Sequence, residues 1–438
     1  MTTTARDVAA LLRALPDTSG WQVVESHHRS TQRYTVFERD EALREVASTK
    51  LTATVHVRQA REGKETLGES SVTFSPQADA TEVRALLQAT LERARLVHNE
   101  PYTLPGPGED APPVTTADEA VVENARAVVD TITHSIRSAA AEHAGVTLSS
   151  SEVFADDVHQ RVLNSRGLDV ERRETDLLVE YVLLARDAQG DEHEIWQSPK
   201  ARLAADLDVA GHIRRYVQYT RDGLSAVLPT SGTYDVLFGE EALDTLWDYF
   251  VGQAHAAARY EGWSRLKPGE PVVADLRGEP LTLHSDPTLP GGRASQARDA
   301  QGQPCRKVTL VQDNVFRAFV ATKKYADLTG VPATGPMGNV VVTAGPTPYA
   351  KLLQADRPVY ELLRFSQLSP NPISGAFSGE IRTGYLHQDG RVTPVRGGSV
   401  SGNILQAFAE ARFAQEIVRR ESYLGPRGVR LGQVAVTG

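Results

Sequence analysis

Twelve histidines and one cysteine are the residues of this 438-residue chain best suited to metal or nucleophilic chemistry. No two histidines stand in the His-Glu-x-x-His arrangement that sets two imidazoles on one helical face. His27-His28 is a neighbouring pair whose rings a strand sends to opposite faces. Glu192-His193-Glu194 reads as a solvated charge cluster at a turn ahead of a strand. Cys305 sits in Gly302-Gln303-Pro304-Cys305-Arg306-Lys307. Two cations beside a thiol lower its pKa if they come close, whereas a lone thiol more often packs as a small apolar group. A single cysteine excludes an internal disulfide, a cysteine zinc cluster and an iron–sulfur centre. No Walker loop, dinucleotide fingerprint or Gly-x-Ser-x-Gly elbow is present. The spacing of Gly398-Ser399-Val400-Ser401-Gly402 fits a tight turn into a helix instead.

The elements that must position these residues divide unevenly along the chain. Residues 1–225 hold 8 prolines and 10 glycines, and residues 226–438 hold 16 and 24, so the second half should be built from short strands and tight turns. The first half is cut by a Pro/Gly-rich stretch over 101–113, which reads as an exposed linker. Thr49 to Val57 alternates as a half-buried strand does, and Thr175 to Leu183 repeats the pattern. Val83, Leu86, Leu87, Leu91 and Ala94 form one face of a helix after the first strand; Val209, Ile213 and Val217 do so after the second. Arg61-Glu62-Gly63-Lys64 and Asp187 to Glu192 supply a charged turn in each copy, followed by a second short strand. The reading is a duplicated α/β unit, about 1–100 and 115–225, making an N-terminal α/β domain over 1–228. A long helix is expected over about Ala117 to His143, with Val121, Val122, Ala125, Val128, Val129, Ile132 and Ile136 at helical spacing. A β-rich domain with a few helices is expected over 229–438, so the class is α+β. In that domain the strand Tyr234 to Phe238 leads into a helix over about Glu240 to Tyr260. A last helix begins near Asn403 and carries Ile404, Phe408, Ala411 and Val418.

Composition narrows the function classes. A net charge of −9 leaves no global basic field for a nucleic-acid backbone. No apolar run approaches the ~20 residues of a membrane span. The segment Met1 to Asp7 lacks the apolar core of a signal peptide, so the expectation is a cytoplasmic protein that binds neither membrane nor nucleic acid.

The second half also carries an ordered set of short motifs. These are His284-Ser285-Asp286-Pro287-Thr288-Leu289-Pro290-Gly291-Gly292, Asp299 to Pro304, Val308 to Val315, Ser374-Gly375-Ala376-Phe377-Ser378-Gly379-Glu380, Pro394-Val395-Arg396-Gly397 and Ser401-Gly402-Asn403-Ile404-Leu405. Each is weak alone, but in this order over about 228–438 they resemble the TldD/TldE (PmbA) family, historically called modulators of DNA gyrase. The resemblance implies a cytoplasmic heterodimer that degrades unfolded peptides and trims precursor peptides. Its TldD-type subunit is a zinc metallopeptidase with a His-Glu-x-x-x-His helix after a strand of the Tyr234 to Leu237 type and a cysteine near the C-terminus. Its TldE-type subunit lacks that site.

Set on this sequence, the first histidine position is Asp248, the glutamate position Tyr249 and the second histidine position Gln253. Tyr249 is no carboxylate base at neutral pH, since a phenol's ordinary pKa is ~10. Gln253 is a neutral amide, a poor zinc ligand. The segment Ser422 to Gly438 has no cysteine. The resemblance therefore implies the TldE/PmbA-type subunit: no catalytic residue, no metal and no cofactor in this chain, with zinc in a TldD-like partner and an unfolded peptide as substrate. His255, Arg382, Tyr385 and Cys305 are the residues that would line a peptide channel or cavity. The alternative is a stand-alone or accessory enzyme of a peptide or small-molecule pathway that reuses the interdomain cavity, with Cys305, Asp248 or His255 as its first candidates. A direct action on DNA gyrase through nucleic acid fits poorly with the charge.

Overall fold

The structure, a computed structural model, describes residues 3–37, 39–108, 110–354 and 356–438. Met1 and Thr2, and Glu109 of the expected linker, lie outside the described residues. Helix α1 (Ala5–Arg13) opens on a reciprocal cap: Thr4 accepts from the Asp7 N–H while Asp7 accepts from the Thr4 N–H. Strands β1 (Gly20–Val36), β2 (Arg39–Arg61) and β3 (Lys64–Phe74) follow, then α2 (Ala80–Ala94). Glu62 and Gly63 turn β2 into β3 with φ of 52° and 76°, the geometry of a tight two-residue hairpin.

The same order of elements then recurs. Helix α3 (Glu119–Ala141) leads into β4 (Val146–Asn164), β5 (Asp169–Arg186) and β6 (Glu192–Gln197). The two-residue β7 (Lys200–Ala201) pairs with β5, and α4 (Val209–Asp222) closes the segment. The six longer strands form one antiparallel sheet in the order β3-β2-β1-β4-β5-β6. Its two halves meet where β1 pairs with β4, from Gln22 opposite Asn164 to Val36 opposite Ser150. Helices cover the face bearing Val23, Leu51, Val55, Leu177, Val179 and Tyr181. The other face carries hydroxyl pairs such as Thr52 with Thr73 and Thr54 with Ser71.

The connection between the halves is the exposed spacer that its prolines suggest only in its second part, where Pro107, Gly108, Asp110 and Pro113 are exposed; its first part is packed. Tyr102 and Leu104 are buried. The Tyr102 hydroxyl donates to Glu69, Thr103 donates to Asp327 from both its N–H and its hydroxyl, and Asn164 donates to the Pro105 carbonyl. Proline fixes the backbone here without forcing it into solvent, because neighbouring side chains satisfy its carbonyls.

The C-terminal region is β-rich, with short helices between strands. It begins with β8 (Gly232–Gly239), α5 (Ala242–Thr245), α6 (Asp248–Gln253) and α7 (Ala256–Tyr260). Next come β9 (Leu283–Asp286), β10 (Val308–Gln312), β11 (Val315–Phe316), α8 (Lys323–Thr329), β12 (Asn339–Val342) and α9 (Tyr349–Leu352). Then follow β13 (Val359–Leu368), β14 (Ala376–Gln388), β15 (Arg391–Val395), β16 (Ser399–Asn403) and α10 (Ile404–Phe408). The chain ends with β17 (Arg412–Phe413), β18 (Ile417–Arg420), β19 (Tyr423–Pro426) and β20 (Gly428–Thr437). One sheet runs β11-β10-β9-β12-β19-β18. The other runs β13-β8-β20-β16-β14-β15 and closes on itself, because β13 also pairs with β14. One large apolar core, including Phe238, Trp247, Phe250, Leu310, Phe316 and Phe408, joins both sheets, and a smaller cluster packs Tyr349 and Leu352 of α9 on Leu237 and Val359. The architecture is therefore α+β.

Four local readings change. The helix expected over Glu240 to Tyr260 is three short ones, because the Val320 segment pairs with the backbone of Ala254 and Ala256 and pulls His255 into an extended conformation (φ −76°, ψ 132°). The last helix stops at Phe408, and Val418 lies in β18. The Glu192 to Glu194 cluster is itself the start of strand β6. Gly398 turns the chain, but β16 separates that turn from α10.

Candidate functional site

A cavity of about 840 Å³ lies between the second N-terminal segment and the C-terminal region. One wall comes from the end of β6, the loop after β7 and the first turns of α4; the other comes from the segment after β8, the end of β13 and β18. Glu240, which follows β8 with a left-handed φ of 47°, turns the chain so that Glu240, Glu241, Asp244 and Thr245 all border this cleft.

Two ionic clusters hold the walls together. Glu241 accepts from Gln197 Nε2 at 2.6 Å and Tyr216 Oη at 3.2 Å on the N-terminal side, and from Arg364 Nε at 2.8 Å on its own side. Arg420 is shared by Glu240 at 3.1 Å and Asp244 at 3.0 Å, and Arg215 of α4 reaches Glu240 at 3.3 Å. His212 lies between them, its Nδ1 2.6 Å from the Tyr181 hydroxyl and its ring stacked on Tyr216. Burial, helped by the charges of Arg420, Arg215 and Arg364, pushes the His212 imidazole down to about 3, so it is neutral at physiological pH. Burial and the nearby Asp244 push the Glu421 carboxyl up.

Two strand edges border the same space. β13 pairs with β8 only from Val359 to Leu362, and its last residues, Phe365 to Leu368, have a neighbour on the β14 side alone. β18 is the terminal strand of its sheet, paired with β19. Consecutive residues of both stretches line the cleft, which alternating side chains do when a strand presents its edge and not one face. Trp196 and Ile417, both well exposed, stand at the opposing walls.

The residues singled out from sequence lie elsewhere. Asp248, Tyr249 and Gln253 come together on α6, outside the lining of the cleft. Asp248 reaches solvent, yet the packed side chains around it push its carboxyl up to about 6, with no cation at ion-pair distance among the described residues. Tyr249 is buried against Phe250, and burial raises its phenol. Gln253 is buried and its amide is fully used: Nε2 donates to the Trp263 carbonyl at 3.2 Å and the Pro372 carbonyl at 2.7 Å, and Oε1 accepts from the Arg265 N–H at 2.6 Å.

His255 precedes α7, half-buried, its imidazole pushed down by burial. Arg382 is exposed and bound to Ser366 and Glu380; Tyr385 donates to Asp222 at 2.7 Å, tying β14 to α4. Those two border a minor crevice. Cys305 is completely buried and its thiol is pushed up to about 12, because burial and the nearby Asp299 carboxylate outweigh the charges of Arg172 and Arg298. None of these four lines the large cleft. Among the described residues, no three His, Cys, Asp or Glu side chains are arranged to hold a metal ion. No helix among them is long and apolar enough to cross a membrane.

Sequence reasoning missed the cleft because its walls come from segments far apart in the chain. The motif around Asp286 to Gly292 had the nearest signal. Buried Arg202 donates to the Gly292 carbonyl at 3.3 Å and also to that of Arg293, and Arg293 pairs with Asp176 at 2.9 Å, so this motif fastens the C-terminal region to the N-terminal sheet.

Residues 231–438 match the model of the PmbA/TldA metallopeptidase C-terminal domain. An uncharacterized protein of Methanocaldococcus jannaschii is 25% identical over 308 residues, covering 68% of this chain and 72% of that protein. A metalloprotease TldD homolog of Haemophilus influenzae is 26% identical over 202 residues, 42% of this chain and 41% of its own length. The crystal structure of TldE from Thermococcus kodakarensis superposes with a TM-score of 0.78 at 19% identity, covering 99% of each chain.

Proposed function

From the premise that this chain belongs to the TldD/TldE (PmbA) family through its C-terminal region, we propose that it is the TldE-like subunit of a peptidase pair. Its partner is a TldD-like homologue that carries the zinc ion, and the pair cleaves unfolded peptides. This chain supplies no catalytic residue or metal ligand; it completes the complex and builds the wall of a substrate channel.

The observation that carries the reading is the state of α6. A zinc site needs lone pairs free to face the metal, from imidazole, thiolate or carboxylate. Tyr249 offers a buried phenol, raised further from ionisation. Gln253 offers an amide whose oxygen and nitrogen are both committed to backbone groups. The residues present do not fit a zinc ion. The two strand edges support the channel role, since an extended chain can pair with either through main-chain hydrogen bonds. The candidates of a stand-alone enzyme, Cys305, Asp248 and His255, stand away from the cleft.

The test is to purify this chain and a zinc-bearing homologue of the family, separately and mixed. Metal analysis and cleavage of an unstructured peptide are then read with and without chelator. The expected result is no stoichiometric zinc and no cleavage from this chain alone, and chelator-sensitive cleavage from the mixture. Zinc bound at α6 of the isolated chain, or cleavage by it alone, overturns the reading.

A further inference from the structure

The lining of the cleft between Trp196 and Ile417 contains more carboxylates than cations, which suggests a site for a positive ligand. Pairing with cations removes most of that negative charge. Glu240, Glu241 and Asp244 are held by Arg215, Arg364 and Arg420 as described. Asp206 pairs with Arg419 at 3.3 Å and Glu421 with Arg293 at 3.5 Å. Asp208 accepts from the Gly211 N–H and Glu416 from the Tyr349 N–H. Every lining carboxylate therefore has a donor.

Two lining cations do not have an acceptor among the described residues. Lys200, after β6, has no ion pair or side-chain hydrogen bond among the described residues, and Glu421 acts on it only at longer range. Arg427, in the turn between β19 and β20, lies over the Tyr349 ring at 4.7 Å, a contact that leaves its guanidinium edge free to donate. Thr245 adds a lining hydroxyl, buried and without a partner among the described residues. Lys200 and Arg427 are thus the charged lining groups without a hydrogen-bond or ion-pair partner among the described residues, one on each wall, beside two open strand edges.

We infer that this cleft binds an extended peptide segment rich in carboxylates, the main chain pairing with the edge of β13 or β18 and the acidic side chains or C-terminus meeting Lys200 and Arg427. The inference deepens the proposed channel role by naming its substrate class. A charge-assisted hydrogen bond to an otherwise unpaired cation contributes more than a neutral one, so acidic segments are selected over neutral segments of the same length.

The test uses the isolated full chain and two labelled unstructured peptides of equal length, one with Asp and Glu at alternate positions and one with Asn and Gln there. Fluorescence anisotropy should show the acidic peptide binding roughly tenfold more tightly, with the difference shrinking as salt is raised. Lys200→Glu with Arg427→Glu should abolish the preference and leave the neutral peptide unaffected. Both side chains lack ion pairs, so folding should survive, and Lys200→Gln with Arg427→Gln reads the same effect with less charge change. Equal affinity for both peptides, or a preference that survives either pair of substitutions, overturns the inference. Cleavage of the neutral peptide by the mixed subunits is a separate readout. If it occurs without any acidic preference, only this inference falls. If the preference holds and the subunits never combine, the proposed partnership falls instead.

Discussion

Gln253→Ala tests whether the buried amide of α6 holds the fold together. The side chain is 1% exposed and bridges three stretches of chain: its amide donates to the Trp263 and Pro372 carbonyls and accepts from the Arg265 N–H. Truncation leaves one donor and two acceptors of the backbone without partners. A buried group left unpaired costs ~1–3 kcal/mol, and because Trp263, Arg265 and Pro372 are themselves exposed, water can reach part of what is lost, which favours the lower end. The expected total is about 3 kcal/mol. Gln253→His should cost less, about 1–2 kcal/mol, since a neutral imidazole has one donor and one acceptor and can replace at most two of the three bonds. Urea unfolding followed by tryptophan emission suits the measurement, because Trp263 lies in the bridged loop and Trp247 in the core beside α6. A midpoint shift corresponding to less than about 0.5 kcal/mol for Gln253→Ala, the range of an ordinary surface change, refutes the reasoning.

Three further outcomes follow from the same structure. Glu241→Ala strips acceptors from Gln197, Tyr216 and an Arg364 side chain that is 11% exposed; with Glu241 itself 29% exposed, about 2–3 kcal/mol should be lost, and thermal unfolding should begin at lower temperature than in Glu241→Gln. Glu69, held down to about 2 by its hydrogen bonds from His56 and Tyr102, is below its ordinary 4.5, so the unfolded chain binds the extra proton between those values. Its stabilising contribution is complete above about pH 4.5 and disappears as pH falls toward 2, and acid titration of Glu69→Gln should show a flatter limb in that window than the parent. Cys305 should react with a thiol reagent only after unfolding, and rapid stoichiometric labelling of the native chain contradicts its burial and raised pKa.

The sequence revealed those strands whose two faces meet constant surroundings. In β2 and β5 one face packs beneath helices along much of the strand, so Leu51, Ala53 and Val55, and Leu177, Val179 and Tyr181, alternate with polar residues. β1 and β4 are as long and went unread. They form the middle of the sheet, under the junction between the two helix pairs, where the helix-side positions are occupied by charge: Arg29 and Arg173 on Asp157, and Arg33 on Asp40 and Asp130. Hydrophobic alternation is lost there although the backbone is regular. Helical periodicity over Glu240 to Tyr260 misled for the opposite reason. Leu243, Leu246, Trp247, Phe250 and Ala254 are all buried, but a backbone pairing with the Val320 segment, distant in sequence, decides where the helix ends. The identities of Asp248, Tyr249 and Gln253 could be read directly; what Gln253 binds could not, since its three partners are backbone groups without a side-chain signature.

The separation of α6 from the cleft explains how one set of residues can change without the other. Asp244 and Thr245 border the cavity, whereas Asp248, Tyr249 and Gln253, one to two helical turns further on, lie outside its lining. Substitution at the three α6 positions therefore leaves both strand edges, the Glu241 cluster and the two unpaired cations in place. Gln253 adds a local cross-link that a metal-ligating imidazole would have to give up, because a ring nitrogen facing a metal cannot also bind a backbone group. The consequence is a separation of effects: changes at Gln253 should act on stability with little effect on peptide preference, and changes at Lys200 and Arg427 should do the reverse. Sites this independent are expected to add in a combined variant to within about 0.5 kcal/mol. A triple variant whose stability loss exceeds that of Gln253→Ala by more than this would show that α6 and the cleft form one mechanical unit.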